Sequence, residues 1–457
     1  MTSISTPSTK PAPGNWSATF KGTLSALAYE HNVPGAVLAV WQDGAVQEVA
    51  VGVLNTRTGT PVEPDSLFQI GSISKVWTTC LIMTLVDEGL LDLDDLVRQH
   101  VPELVLRDGL AERLMVRDLL NHTSGLPADW FPDTGRGDDC LAALATLLRD
   151  QPLVHERGEL TSYSNSAFSL AGLVAARVAG STWERALGER VIAPLELQHS
   201  VTLAEEALLH SAAVGHVGAG DAQRPAGAWQ PPRACGPAGL VFASAADTAR
   251  FGATFLESAP GELLSAASRI AMTSRTASLP VSDGTVEGFG LGWGLSSWSG
   301  RPVLAHDGST IGQAAALRVL PQDGFAVALT SNGGDWRRFR DAVLALVMTD
   351  FLGFTPPAPP TPPVTEGPRG SVVGTYWRHG VELRVEDSSD GLRLSTRLDV
   401  GTAWESDKET QVPVLPLGAD TYLVQLPGSP PLWSPAAVLH GGRYLHWGRR
   451  AARRLER

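Results

Sequence analysis

The sequence predicts an α/β (α+β) fold: an antiparallel sheet flanked by helices, an all-helical region set between the sheet's two halves, and then a small all-β barrel. Three observations carry that expectation. β-rich runs stand at residues 35–54 and again at 290–332, separated by a long stretch of helical patches and loops. Residues 355–368, "TPPAPPTPPVTEGP", are too dense in proline for helix or sheet and read as a semi-rigid linker. Beyond them the chain turns to short segments of alternating apolar and polar residues. Length agrees, because 457 residues exceed what one hydrophobic core serves.

Residues 1–14 are polar and rich in Pro, Ser and Thr, and read as a disordered N-terminus with no apolar stretch of signal-peptide length. "TLSALAYEH" follows as a helix, then "GAVLAVW" and "VQEVAVGVL" as strands joined by a turn at Asp43-Gly44. A long helix is expected from near Ser72 to about Gly89, where glycine is a natural stop. Strand character returns in "GLGWGLS", "PVLAH", "AAALRVL" and "FAVALTSN", and the helical run "DWRRFRDAVLALVMTDFL" closes a main domain of residues 15–354. The sheet therefore unites distant parts of the chain, with a cleft expected where it meets the helical block. After the linker, residues 369–457 read as the barrel. Trp377, Trp404, Trp433 and Trp447 read as its core, and His440 and His446 as strand residues.

Composition narrows the function. Forty-eight acidic against 36 basic residues give a net charge of −12, which argues against nucleic-acid and anionic-membrane partners. The arginine-rich end, including Arg449 and Arg450, reads as a solvated tail in preference to a pair that reaches the cleft and binds a carboxylate or phosphate. No apolar run reaches 18 residues, so no membrane span is expected. Cys80, Cys140 and Cys235 are odd in number, lack metal-ligand spacing and read as buried apolar residues in a reducing, cytoplasmic compartment. No metal or cofactor is expected.

One lysine stands out. The chain holds four, Lys10, Lys21, Lys75 and Lys408, so 36 − 4 = 32 of its Lys+Arg residues are arginine. Lys75 lies three residues after Ser72, on the same face of a helix that carries no further charge until Asp87. Burial disfavours a lysine's charged form, whereas arginine stays protonated in any such setting. Lysine can thus become the base that a serine hydroxyl needs to act as a nucleophile.

"FQIGSISK" resembles the Ser-x-x-Lys motif of the penicillin-recognising serine hydrolases, which include class C β-lactamases, DD-peptidases, esterases and aminopeptidases. Tyr163-Ser164-Asn165 matches that family's Tyr-x-Asn, and His306-Asp307-Gly308 stands where Lys-Thr-Gly or His-x-Gly is expected. "VRDLLNHTSGLP", "GPAGLVFASAADTARF" and "GLGW" are similar too, and the likeness covers roughly residues 20–352.

The resemblance implies a β-lactamase/transpeptidase-like catalytic domain with a lipocalin-like barrel. Ser72, Lys75, Tyr163 and His306 would be catalytic. Asn165, which would bond Lys75 or a substrate amide, and Gly308 would support the substrate, with Trp130 as a wall residue. The backbone N–H groups of Ser72 and Ser309 would form the oxyanion hole. His122 reads as a turn residue. The lysine and threonine that grip a β-lactam carboxylate are absent, and His306 would instead bond Tyr163 or assist proton transfer near neutral pH.

The layout of domains is similar to the penicillin-binding-protein-type thioesterases. That implies a peptidyl thioester substrate on a carrier protein, released by head-to-tail macrocyclisation of a nonribosomal peptide. The alternatives are a D-aminopeptidase or esterase acting on small D-amino-acid amides or esters, and a catalytically idle binding protein, which the intact residues disfavour.

Overall fold

The computed structural model describes residues 16–259, 263–358, 360–362, 372–398, 410–418, 420–426 and 432–455. The expected disordered residues 1–14, Trp404 and residues 363–368 of the linker lie outside them. Helix α1 (Trp16–Glu30) leads into β1 (Gly35–Gln42) and β2 (Ala45–Asn55), which pair about Asp43-Gly44. Both turn residues have positive φ, 52° and 81°, as a tight two-residue hairpin requires.

The remaining framework is β3 (Thr60–Pro61), α2 (Ser74–Asp87), α3 (Asn165–Ala179) and α4 (Ala245–Ala253), followed by β4 (Ala277–Ser278) and β5 (Gly288–Phe289). Then come β6 (Gly294–Trp298), β7 (Arg301–Ser309), β8 (Ala314–Leu320), β9 (Phe325–Ser331) and α5 (Trp336–Leu352). These strands form one nine-stranded sheet in the order β3-β2-β1-β9-β8-β7-β6-β5-β4. β1 pairs antiparallel with β9, Ala36 opposite Ser331, so the first and last strands of the domain are neighbours.

Alternation along the strands builds two cores. Val37 and Ala39 face a core shared with α2, α3 and α4, while Ala36, Leu38 and Val40 face a core shared with α1 and α5. With both faces covered, β1 is apolar from Gly35 to Trp41. Ser74 to Leu85 of α2 are buried without exception, and Trp77 stacks on Phe251 of α4 at 4.4 Å. The helix's threonines remain satisfied: Thr78 donates to Pro237 O, Thr79 to Lys75 O and Thr84 to Leu81 O.

The helix does not begin at Ser72 as expected. Gly71–Ile73 form a 3-10 turn and the α-helix starts at Ser74. Gly71 has φ +54°, and its Cα faces the backbone of Gly308 and Ser309 so closely that a Cβ would overlap Ser309 N. That close approach, which only glycine permits, tightens the first turn.

Past the linker, β10 (Gly374–Arg378), β11 (Val381–Ser388), β12 (Gly391–Leu398), β13 (Thr410–Pro416), β14 (Thr421–Leu426), β15 (Leu432–Leu439), β16 (Tyr444–Trp447) and β17 (Arg450–Arg454) close into an eight-stranded barrel. Each strand pairs with the next, and β10 closes on β17. Closure leaves no free sheet edge. The barrel core holds Tyr376, Leu383, Leu394, Tyr422 and Val424. The expected tryptophan core is corrected: Trp377 and Trp433 are outside it and Trp447 packs only at its margin. His446 is a strand residue, whereas His440 sits in the turn His440–Gly442 with φ +53°.

Candidate active site

Lys75 is fully buried, and its Nζ lies 3.1 Å from Ser72 Oγ while donating to Ala238 O at 2.6 Å. The rings of Tyr163 and Phe168 flank it, their centroids 4.8 and 5.6 Å away. It has no ion pair among the described residues. Burial, reinforced by the nearby Arg450 guanidinium, holds the amine well below its ordinary proton affinity. An amine of lowered proton affinity beside a partly buried serine is the arrangement a base-activated nucleophile requires.

Tyr163 hydrogen-bonds Ser72 through its phenol, whose own pKa burial pushes up to about 12. It comes from the segment before α3, where Ser164 caps the helix by accepting from Ala167 N at 3.1 Å. Asn165 is close by, but of the two partners expected for it, Lys75 or a substrate amide, it does not reach Lys75. Its Nδ2 donates to Asp129 Oδ1 at 3.0 Å. Asp129 also ion-pairs with Arg450, at 2.8 Å through Oδ1 and 2.7 Å through Oδ2. Burial alone would raise the Asp129 pKa, but Arg450 and Arg378 outweigh it and keep the carboxylate charged.

His306 reaches the same centre from β7, but it neither bonds Tyr163 nor titrates near neutral pH. Its Nδ1 donates to Asp307 O at 2.8 Å, and its ring centroid stands 6.3 Å from that of Tyr163. Burial and then Lys75 push its pKa down to about 3, so the imidazole is neutral, with Nε2 buried and unpartnered. Asp307 turns away to ion-pair with Arg318 at 2.6 Å and Arg340 at 2.5 Å. Two residues on, Ser309 N and Ser72 N flank the point where Gly308 presses on Ile70 and Ser72. A Cβ on Gly308 would overlap Ile70 O and stand 2.8 Å from Ser72 N. His122 holds a turn, as expected: at φ +65° its Nδ1 accepts from Ser164 N at 3.2 Å.

Ser72, Tyr163 and His306 open onto a cavity of about 560 Å³ whose other walls are the linker at Pro356, the barrel at Trp433 and α5 at Arg337. Trp130 is not in that wall. It packs beside the α2 core and meets the His379 ring at 5.8 Å. The tryptophans that line the cavity are Trp298, Trp336 and Trp433.

Arg449 and Arg450 are not a solvated tail. Both line the cavity, and Arg449 ion-pairs with Asp283 at 2.6 Å. Five arginines and three aspartates line the cavity, in a chain of net charge −12. Among the described residues, Arg337 has no hydrogen-bond or ion-pair partner; it keeps exposed surface, while partial desolvation against the cavity wall and then Arg340 lower its proton affinity against the opposing pull of Asp335, Asp307 and Asp341. The contributions of Asp129 and Arg337 were not read from the sequence, and for Arg450 the solvated tail was preferred to a reach into the cleft. The one available signal was "ADW" following the quoted "HTSGLP" stretch, together with arginine doublets beside an apolar helix and strand.

Cys80, Cys140 and Cys235 are free and buried, as expected. No helix among the described residues is long and apolar enough to cross a membrane.

Comparison with known proteins assigns the family. A family profile described as Beta-lactamase matches residues 20–349. Penicillin-binding protein 4 of Amycolatopsis lactamdurans is 39% identical over 371 residues, spanning 78% of this chain and 96% of that protein. The crystal structure of SurE superposes with a TM-score of 0.78 at 25% identity, covering 97% of this chain and 100% of SurE, which has also been solved with D-Leu. A D-stereospecific amidohydrolase from Streptomyces sp. superposes at 0.60 with 25% identity, over 74% of this chain and 99% of that one. With the family matched across the sheet, the helical block and the Ser72 cleft alike, the chain belongs to the beta-lactamase and penicillin-binding-protein family of serine hydrolases.

Proposed function

We propose that the chain is a trans-acting thioesterase that takes a carrier-bound nonribosomal peptide onto Ser72 and releases it by head-to-tail closure. The observation that carries this reading is the cavity over Ser72, walled jointly by catalytic domain, linker and barrel. Closing an acyl-enzyme with the peptide's own amine requires a folded-back chain and a site that keeps water off the ester. A volume of about 560 Å³ has room for several residues of peptide. The likeness to SurE over nearly the whole of both chains, and its structure with D-Leu, supports a D-residue at the acylating end.

In this reading Ser72 Oγ attacks the thioester carbonyl while neutral Lys75 takes the hydroxyl proton across 3.1 Å. The backbone N–H groups of Ser72 and Ser309 hold the developing oxyanion. The proton passes by Tyr163, which bonds Ser72, to the departing thiolate. In the second half the peptide's amine attacks the ester carbonyl and Ser72 regains a proton as the ring leaves. Arg337, on the cavity wall without a hydrogen-bond or ion-pair partner among the described residues, is assigned to the phosphate of the carrier arm.

The likeness to a D-stereospecific amidohydrolase favours a second reading, hydrolysis of small D-aminoacyl amides or esters by the same residues. A synthetic peptidyl thioester ending in a D-residue separates the two. Cyclic product, abolished by Ser72→Ala, is expected. Linear acid alone, with fast cleavage of D-aminoacyl amides, would transfer the assignment to the hydrolase.

A further inference from the structure

The barrel does more than cover the cleft. Its β16–β17 hairpin turns at Gly448-Arg449, with φ values of 60° and 64°. A left-handed arginine in a hairpin turn is an unfavourable choice, retained where surrounding contacts fix it. Here they do. Tyr163 N donates to Arg449 O at 2.9 Å, Ala451 N donates to Ser162 Oγ at 3.1 Å, and His446 Nε2 donates to Thr161 O at 3.0 Å. Three consecutive residues ending in the active-site tyrosine are thus held by the hairpin. Beyond the tip, the Arg450 guanidinium lies 4.9 Å from the Tyr163 ring centroid and grips both Asp129 oxygens.

We propose that Arg450, delivered by the barrel, is a positioning residue of the acyl-transfer site: it caps the Tyr163 ring and fixes the Asp129 carboxylate that in turn holds Asn165. It acts through these groups and touches no reacting atom. The guanidinium and the ring face hold the phenol in line with Ser72, since a cation and an aromatic face attract when desolvated together. Arg450 also sets the charge around Lys75, which faces neutral His122 and His306, the Tyr163 phenol and the Cys235 thiol, with Asp129 as the opposing anion. Arg450 lowers the Lys75 proton affinity and Asp129 raises it.

Those opposite signs supply the test, which rests on Ser72 being the acylated residue. Full-length wild type is first acylated with a D-amino-acid p-nitrophenyl ester and the adduct located by peptide mass spectrometry. An adduct absent from Ser72 would sink the proposed function itself, whatever Arg450 does. With the adduct on Ser72, acylation rates are followed across pH for Arg450→Met, Arg450→Lys and Asp129→Asn.

Arg450→Met is expected to slow acylation by about 100-fold with little change in KM, the cost of a misplaced reacting group. Losing a neighbouring cation raises the Lys75 pKa, so the acid limb of its profile moves to higher pH. Asp129→Asn removes an anion, lowers that pKa and moves the limb to lower pH. Arg450→Lys retains the charge, so its limb stays with wild type, while its single ammonium cannot grip both oxygens and recovers only part of the rate. A generally loosened fold would move both limbs the same way. That result, or an Arg450→Met enzyme with wild-type rate and profile, overturns the proposal.

Discussion

Lysine at position 75 is the residue on which the chemistry turns, and its setting is severe: no exposed surface, no carboxylate in contact and a carbonyl 2.6 Å from Nζ. A guanidinium there would stay protonated and could only donate. Lys75→Arg is therefore expected to slow acylation of Ser72 by about 1000-fold, the range a lost general base commands. Lys75→Met, close to lysine in shape and uncharged, should fall as far while keeping the wild-type melting temperature. Retention of a tenth of the activity by Lys75→Arg would remove the neutral amine from the mechanism. This residue was legible because the chain uses lysine so rarely. His306 was legible as a site residue but not in its ionisation, since a pKa near 3 arises from burial and from Lys75, neither of which the tripeptide His306-Asp307-Gly308 displays. Arg450 was misread for a related reason. An arginine run at a chain end is ordinarily solvated, and what buries it is a contact with Asp129, 321 residues away.

At the scale of elements, the site is the meeting of a 3-10 turn with the end of β7, and two glycines set their separation. Gly308→Ala would drive its new methyl into Ile70 O and against Ser72 N. The strand must then move off the turn and carry Ser309 N with it. A loss of about 100-fold or more in kcat/KM is expected, as for removal of an oxyanion donor, with the melting temperature falling as well. Gly188→Ala is the control, because nothing lies within 4 Å of a methyl there. Equal activity of the two variants would show that β7 does not border the reacting carbonyl. The strands were legible because β1, β8 and β9 are mostly apolar on both faces, with Arg318 the one charged residue among them, and the proline-dense segment marked the change to alternating barrel strands. The start of α2 was misplaced by two residues. The cause is tertiary: the approach of Gly308, distant in sequence, converts the first turn to 3-10 geometry.

At the scale of the whole molecule, catalytic domain, linker and barrel enclose one cavity whose charge opposes that of the chain. Its arginines are almost all committed: Arg318 and Arg340 to Asp307, Arg449 to Asp283 and Arg450 to Asp129. Arg337 is the cavity cation without a hydrogen-bond or ion-pair partner among the described residues; Arg340 beside it disfavours its charge, and Asp335, Asp307 and Asp341 favour it. A carrier arm is joined to its protein through a phosphate at the end opposite the thioester, so peptidyl thioesters of phosphopantetheine and of pantetheine, identical but for that group, isolate its contribution. Wild type is expected to favour the phosphorylated form by about 10-fold in kcat/KM, as a charge-assisted contact at a partly wet site implies. The preference should shrink as salt rises, because screening shortens the reach of an exposed charge. Arg337→Gln should erase the preference and leave the pantetheine substrate unchanged. Equal use of both thioesters by wild type would deny Arg337 its phosphate while leaving acyl transfer at Ser72 intact. Failure of either to acylate Ser72 would reject the thioesterase reading as a whole.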